Sequence, residues 1–147
     1  MKILAIETAT EACSAALYHD GGIISRYELA PRKHTQLILP MMDSLLAEAG
    51  LSKQALDAIA FGRGPGAFTG LRIAVGVTQG LALALDRPVI PISSLAAMAQ
   101  QVLDATVDLA SAMLDYIPAI DARMGEVYWA RYKNVDGQAQ LAGDEAI

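Results

Sequence analysis

The chain is poor in the residues that most often carry chemistry or staple a fold. Its 147 residues hold one cysteine, two histidines, one tryptophan and two phenylalanines, and aromatics make up 5%. With Cys13 alone, no disulfide forms within the chain, which suits a reducing compartment. Charge is also sparse: 18% of residues are charged, the net charge is −5, and the basic residues are scattered. Phosphate affinity comes from clustered Lys and Arg, so strong direct tRNA or DNA binding is not expected. A long apolar run is missing too. The longest, Leu71 to Leu85, is interrupted by Arg72, Thr78 and Gln79 and falls short of the roughly 18 residues of a membrane span. The opening "MKILAIETAT" meets Glu7 before any signal-peptide core could form. The expectation is a cytoplasmic protein with no membrane contact.

What the chain has in quantity is apolar surface. Hydrophobic residues make up 54%. That exceeds what a small monomer hides, so a partner is expected.

Three strand-like runs come first: "KILAIE", "ACSAALYH" and "GGIISRYEL". The first is continuous and apolar, as in a buried central strand. His19-Asp20-Gly21-Gly22 carries the Asp-Gly signal of a hairpin turn. A helix is expected from about Thr35 to Ala49, with Gly50 ending it and Pro40 kinking its first turns. "DAIAFG" reads as a strand, and a second helix follows from about Phe68 to Leu85. "RPVIPIS" is another strand, and Ser93 or Ser94 caps a third helix reaching about Leu103. This order, a meander followed by alternating helix and strand, predicts an α/β fold of ribonuclease H-like type, a mixed sheet with flanking helices.

The pattern then restarts. Ile3, Ala5, Ile6, Ala16 and Tyr18 align with Ile117, Ala119, Ile120, Ala130 and Tyr132; Glu7 aligns with Asp121, and a second Asp-Gly closes the second copy. Self-similarity of this kind points to duplicated lobes. The expected division is a complete first lobe over residues 1–112 and the opening β-hairpin of a truncated second lobe over 113–147.

The segment "GRGPGAFTGLRIAVGVTQGLALAL", Gly62 to Leu85, decides most of the functional reading. A Walker loop would need Gly at position 69 and a following Lys; Thr69 stands there and the loop has no lysine. A dinucleotide fingerprint forced through Gly62, Gly64 and Ala67 is in the wrong turn and lacks its acidic partner. The alternative is a tight turn at Pro65-Gly66, with Thr69 capping the helix. Gly76, Gly80 and Ala84 then form a groove of small side chains. Two mid-helix glycines cost about 1 kcal/mol each against alanine, which fits a helix that another helix approaches closely. On the first helix, Leu37, Met41 and Leu45 recur at four-residue spacing and offer a second apolar surface.

Together, "ILAIETATEACSAAL", "PRKHTQLILPM", "GRGPGAFTGLRIAVGVTQGLAL" and "AIDARMGEVYWA" closely resemble the bacterial TsaB, or YeaZ, family, over nearly the whole chain. The resemblance implies two lobes of the actin-like ATPase superfamily and a chain longer than this one. It implies a role in forming threonylcarbamoyladenosine at position 37 of tRNAs that read A-starting codons. There it implies a non-catalytic scaffold and activator of the paralogous enzyme TsaD, acting with the ATPase TsaE, and a homodimer when TsaD is absent. The implied partner interface takes in Leu37, Met41, Leu45, Arg72, Gly76, Gly80 and Ala84. No intrinsic cofactor is implied, and whether a nucleotide sits at the junction with TsaD stays open.

TsaD-like catalysis needs a helical His-x-x-x-His pair and an Asp, whereas His19 and His34 fall in different elements. No catalytic residue and no metal site are therefore expected. Glu7 and Asp121 stand where superfamily kinases place Mg-linked acids, and are the weak candidates for cofactor contact. The family's usual first residue is Asp, and Glu adds a methylene. Tyr128 and Trp129 in "DARMGEVYWARY" read as hairpin packing rather than as a base-stacking platform. Arg123 and Glu126 lie in its turn. The competing function is an ATP-dependent phosphotransferase or nucleotide hydrolase of the same superfamily.

Overall fold

The computed structural model describes residues 1–106 and 114–147. They form two compact units. The first is Met1–Arg63 with Ala67–Ile92; the second is Gly64–Gly66 with Ser93–Ile147.

The first unit is built on a five-stranded sheet. Its strands are β1 (Ile3–Glu7), β2 (Ala12–His19), β3 (Gly22–Leu29), β4 (Ala58–Gly64) and β5 (Val89–Ser93). Their order is β3-β2-β1-β4-β5. β1 and β2, and β2 and β3, pair antiparallel; β1 and β4 pair parallel. The mixed sheet expected from the sequence is present, with "KILAIE" central in it. The β2–β3 hairpin turns on Asp20 (φ 50°) and Gly21 (φ 80°), flanked by the pair His19 and Gly22. Two successive left-handed residues make the turn whose twist matches that of the strands, and Asp-Gly supplies them at low cost.

Two helices cover one face of this sheet. Helix α1 (His34–Glu48) runs through Pro40 and ends in a Schellman motif. There, Gly50 (φ 64°) donates to Ala47 O and Leu51 donates to Leu46 O. A 3-10 turn at Lys53–Ala55 leads into β4, and α2 spans Phe68–Leu85. The core joins Leu4 and Ile6 of β1, Cys13, Ala15 and Leu17 of β2, and Ile38, Met41, Met42, Leu45 and Leu46 of α1. Alternation along β1 and β2 sends every second side chain into this core.

Cys13 is fully buried, on the β2 residue paired with Glu28. Burial, and then the Glu28 carboxylate, push its thiol above the ordinary range. The neutral thiol is favoured in the folded state. Its contribution to stability is therefore fully present below the unfolded thiol pKa and is lost as pH rises through the folded value. The native chain should accordingly stay unlabelled by an excess of a thiol reagent at pH 8 and take up one equivalent on unfolding. Rapid labelling of the folded chain would contradict the burial.

The second unit holds α3 (Ser94–Ala105), β6 (Asp115–Tyr116), β7 (Ala119–Arg123), β8 (Glu126–Trp129), β9 (Tyr132–Val135) and β10 (Gln138–Leu141). Strands β10-β9-β6 make one sheet and β7-β8 another. Ser93 caps α3, its hydroxyl accepting from Ala96 N at 3.3 Å. The helix buries Leu95, Ala99 and Leu103 with Tyr116, Ala130 and Tyr132. Gln100 fastens it to β10: its amide oxygen accepts from Ala139 N at 2.8 Å and its amide nitrogen donates to Gly137 O at 3.0 Å. So α3, assigned from sequence to the first lobe, packs in the second unit. The expected boundary between residues 112 and 113 lies outside the described residues.

The second copy repeats the first locally. Asp136 (φ 53°) and Gly137 (φ 81°) reproduce the turn at Asp20-Gly21, between the paired Val135 and Gln138. β7 pairs antiparallel with β8 as β1 does with β2. The single strand β2 is replaced by two, β8 and β9, separated at Ala130-Arg131. Of the aromatics read as hairpin packing, Tyr132 is 2% exposed and belongs to the core and Tyr128 is half-buried, whereas Trp129 is 41% exposed.

Candidate functional site

The glycine-rich loop docks on the turn that joins β1 to β2. Thr8 Oγ1 donates to Gly70 O at 2.7 Å, and Ala67 N donates to Ala9 O at 2.7 Å. The Ala67 amide is thus spent on the protein's own backbone. The residue before α2 is Ala67, which makes no side-chain cap bond, and Thr69 lies inside the first helical turn. The expected Thr69 cap is therefore incorrect. Docking of the loop on Ala9 starts the helix two residues earlier than a threonine cap would. Gly64 (φ 89°) precedes a cis bond to Pro65.

Close packing explains two glycines here, most strictly Gly70, whose neighbours are backbone. A Cβ on Gly70 would overlap the Thr8 carbonyl, and a Cβ on Gly62 would overlap the Glu7 carboxylate. Glu7 Oε1 in turn accepts from Ala9 N at 2.5 Å. Asp121 repeats the arrangement in the second unit, where its Oδ1 accepts from Arg123 N at 2.7 Å. Each acid accepts from the amide two residues on, Glu7 at the end of β1 and Asp121 at the irregularity within β7. The alignment of Glu7 with Asp121 in the sequence thus has a local structural basis: a carboxylate satisfying the amide two residues on.

His34 is buried at the start of α1. Its Nε2 lies 2.9 Å from Thr10 O and 3.2 Å from Ala12 O. Both partners are acceptors, so this nitrogen carries the proton and donates. His34 ties α1 to the same turn that holds α2. His19 Nδ1 lies 3.5 Å from the Asp20 carboxylate at the hairpin turn. Arg123 and Glu126 face each other across β7 and β8. Among the described residues, no group of three His, Cys, Asp or Glu side chains is placed to hold a metal ion.

Helix α2 presents two stripes at four-residue spacing. Gly70, Ala74, Thr78 and Ala82 face inward and are buried. Arg72, Gly76, Gly80 and Ala84 face outward and are exposed. No atom lies within 4 Å of a Cβ built on Gly76 or Gly80. Beside this open stripe, Leu83 is 86% exposed and Phe68 is 67% exposed, with the Arg72 guanidinium 3.9 Å above the Phe68 ring. By length and composition α2 could cross a membrane; Ala74, Ile73, Val77, Leu81 and Leu85 instead pack on the first unit's core.

The surface inferred for α1 needs correction. Met41 and Leu45 are buried in the core and offer nothing to a partner; Leu37 is half-buried. The apolar stripe was read correctly, but it faces the sheet. Phe68 and Leu83 escaped the sequence reading because an apolar residue on a helix apolar nearly all round carries no sign of which way it points.

The family model described as TsaD, tRNA N6-adenosine threonylcarbamoyltransferase, matches residues 2–147. The Escherichia coli tRNA threonylcarbamoyladenosine biosynthesis protein TsaB is 51% identical over 133 residues, covering 90% of this chain and 55% of that protein. The Haemophilus influenzae protein of the same name is 52% identical over 131 residues, covering 89% and 53%. The solved structure of YeaZ from Pseudomonas aeruginosa superposes with a TM-score of 0.91 at 54% identity, over 99% of this chain and 66% of that one. The chain thus spans about half the length of those two curated relatives.

Proposed function

The chain belongs to the TsaB/YeaZ branch of the TsaD threonylcarbamoyltransferase family, and from that membership we propose that it serves tRNA threonylcarbamoyladenosine biosynthesis as a non-catalytic subunit. In this role it docks on a TsaD paralogue, with the TsaE ATPase completing the assembly, and promotes threonylcarbamoyl transfer to adenosine 37. Without the paralogue it pairs with itself through the same helix surface. It contributes no cofactor of its own.

The observation that carries this reading is the outward stripe of α2. Glycine at positions 76 and 80 lowers the helix surface, and Phe68 and Leu83 flank it with apolar bulk. Such a stripe costs helix stability, and the cost is offset only when another helix packs into it. The Glu7 and Asp121 carboxylates support the same reading, since each is engaged with the backbone amide two residues on. A net charge of −5 leaves tRNA binding to the partner.

The test is co-purification with the TsaD paralogue, followed by a tRNA modification assay with and without this chain. Stable capture and a rate that depends on the chain are expected. Modification at full rate in its absence would remove the proposal.

A further inference from the structure

The exposed side of α2 carries a second pattern besides its small residues. Arg72, Gly76, Gln79, Leu83 and Asp86 follow one another at spacings of four, three, four and three, and all five are exposed. That spacing marks a seam along which two helices interlock, a knob on one entering a hollow on the other. Leu83, 86% exposed, is a knob. Gly76 is a hollow: outside the helix's own backbone, nothing lies within 4 Å of a Cβ built on it.

The two charges on this seam stand at the wrong ends of their own helix. Arg72 lies near the N-terminus of α2, where the helix dipole is positive, and Asp86 is the residue at its C-terminal cap, where the dipole is negative. Among the described residues, neither side chain takes part in an ion pair. Arg87, next to Asp86, is committed to the carbonyls of Leu56, Asp86 and Gln54. The Arg72 guanidinium stacks on the Phe68 ring at 3.9 Å. Stacking uses the flat face of a guanidinium and leaves its N–H edge free to donate. Phe68 thus steadies the cation at one end of the seam without neutralising it.

Resting on the self-pairing proposed above, we propose that α2 lies antiparallel to α2 of a second copy of this chain, about a two-fold axis between Gln79 and Gly80. Such a contact brings one patch against itself. In this register Leu83 of each copy stands level with Gly76 of the other, and Gln79 lies beside its own counterpart. Arg72 comes level, to within one residue or about 1.5 Å along the helix, with Asp86 of the other copy. Size and charge are then each matched twice, and each charge reaches a helix end of opposite sign. A parallel pair would set Arg72 on Arg72 and Leu83 on Leu83, and would leave both Gly76 hollows empty. An antiparallel slip of four residues could seat Leu83 on Gly80 instead, but it would carry Arg72 past the end of the other helix. Charge therefore chooses between the two glycines.

Single-cysteine variants of the 147-residue chain test the register, because Cys13 is buried and silent. With a short bis-maleimide, Gln79→Cys should cross-link into dimers. Thr69→Cys should not, since its two copies stand roughly 30 Å apart at about 1.5 Å per residue, whereas a parallel pair would bring them together. In the Gln79→Cys background, Arg72→Asp should cut the cross-linked yield about tenfold, by losing two ion pairs and setting carboxylate against carboxylate. Asp86→Arg should act alike. The two changes together should give more dimer than either alone, as a direct contact between the two positions requires. Equal yields at Thr69 and Gln79, indifference to both charge reversals, or a double variant no better than the singles would each overturn the proposal. A chain that captures the TsaD paralogue but gives no cross-link at Gln79 would overturn it and leave the docking role standing. A charge-dependent cross-link without capture of the paralogue would sustain this contact and remove the docking role.

Discussion

Gly70→Ala is expected to lower the melting temperature of the first unit by roughly 10 °C or more, from a loss of about 2–3 kcal/mol. The added Cβ meets backbone, the Thr8 carbonyl and the Ala9 Cα, and neither can rotate away. Relief requires α2 to lift from the β1–β2 turn. That motion breaks the Thr8 Oγ1 bond to Gly70 O and the Ala67 N bond to Ala9 O, each worth about 1 kcal/mol when buried. Gly76→Ala is the internal control. It lies in the same helix with open space above it, so helix propensity alone should act and stabilise by up to about 1 kcal/mol. Thermal melts of both variants by circular dichroism provide the comparison. A Gly70→Ala melt within two degrees of the parent would show that the loop is not docked on the turn as described.

The largest effect on assembly is expected from Gly80→Leu. A Cβ there meets no atom within 4 Å outside the helix's own backbone, so the site is open to a larger side chain. The monomer should keep its spectrum and melt at or slightly above the parent temperature, because leucine is the better helix former. Against a partner helix the same side chain overpacks, typically by about 1–3 kcal/mol, which is a five- to 150-fold loss of affinity. Capture of the TsaD paralogue, titrated with both variants, gives the readout. Unchanged affinity would move the docking surface away from α2. A drop in monomer stability would mean that the stripe is covered from within.

Local structure was legible in the sequence wherever one residue type answers one local demand. The Asp20-Gly21 turn, the Gly50 terminus of α1 and the Ser93 cap of α3 all appear where the pattern placed them. Thr69 was misassigned as a cap because an identical signal, a threonine at the head of an apolar helix, also suits the helix interior. The Gly70 amide plane could have been suspected of close packing only with the Thr8 carbonyl in view, 62 residues away in the chain.

By itself, then, the sequence determined the order of the elements through α3, the duplicated strand-and-turn pattern and the sparseness of catalytic groups; the further strands after α3 were not legible. What was determined follows from short-range rules: backbone dihedrals, periodicity and side-chain inventory. Only the tertiary structure decided direction. It turned Met41 and Leu45 inward and the Gly76–Gly80 stripe outward, gave α3 to the second unit and closed Glu7 on its own turn. The reason is that a helix or strand apolar on more than one face has no preferred side until a sheet is placed beneath it. The choice is made by which face excludes water over the largest area, and that quantity exists only once distant segments have met.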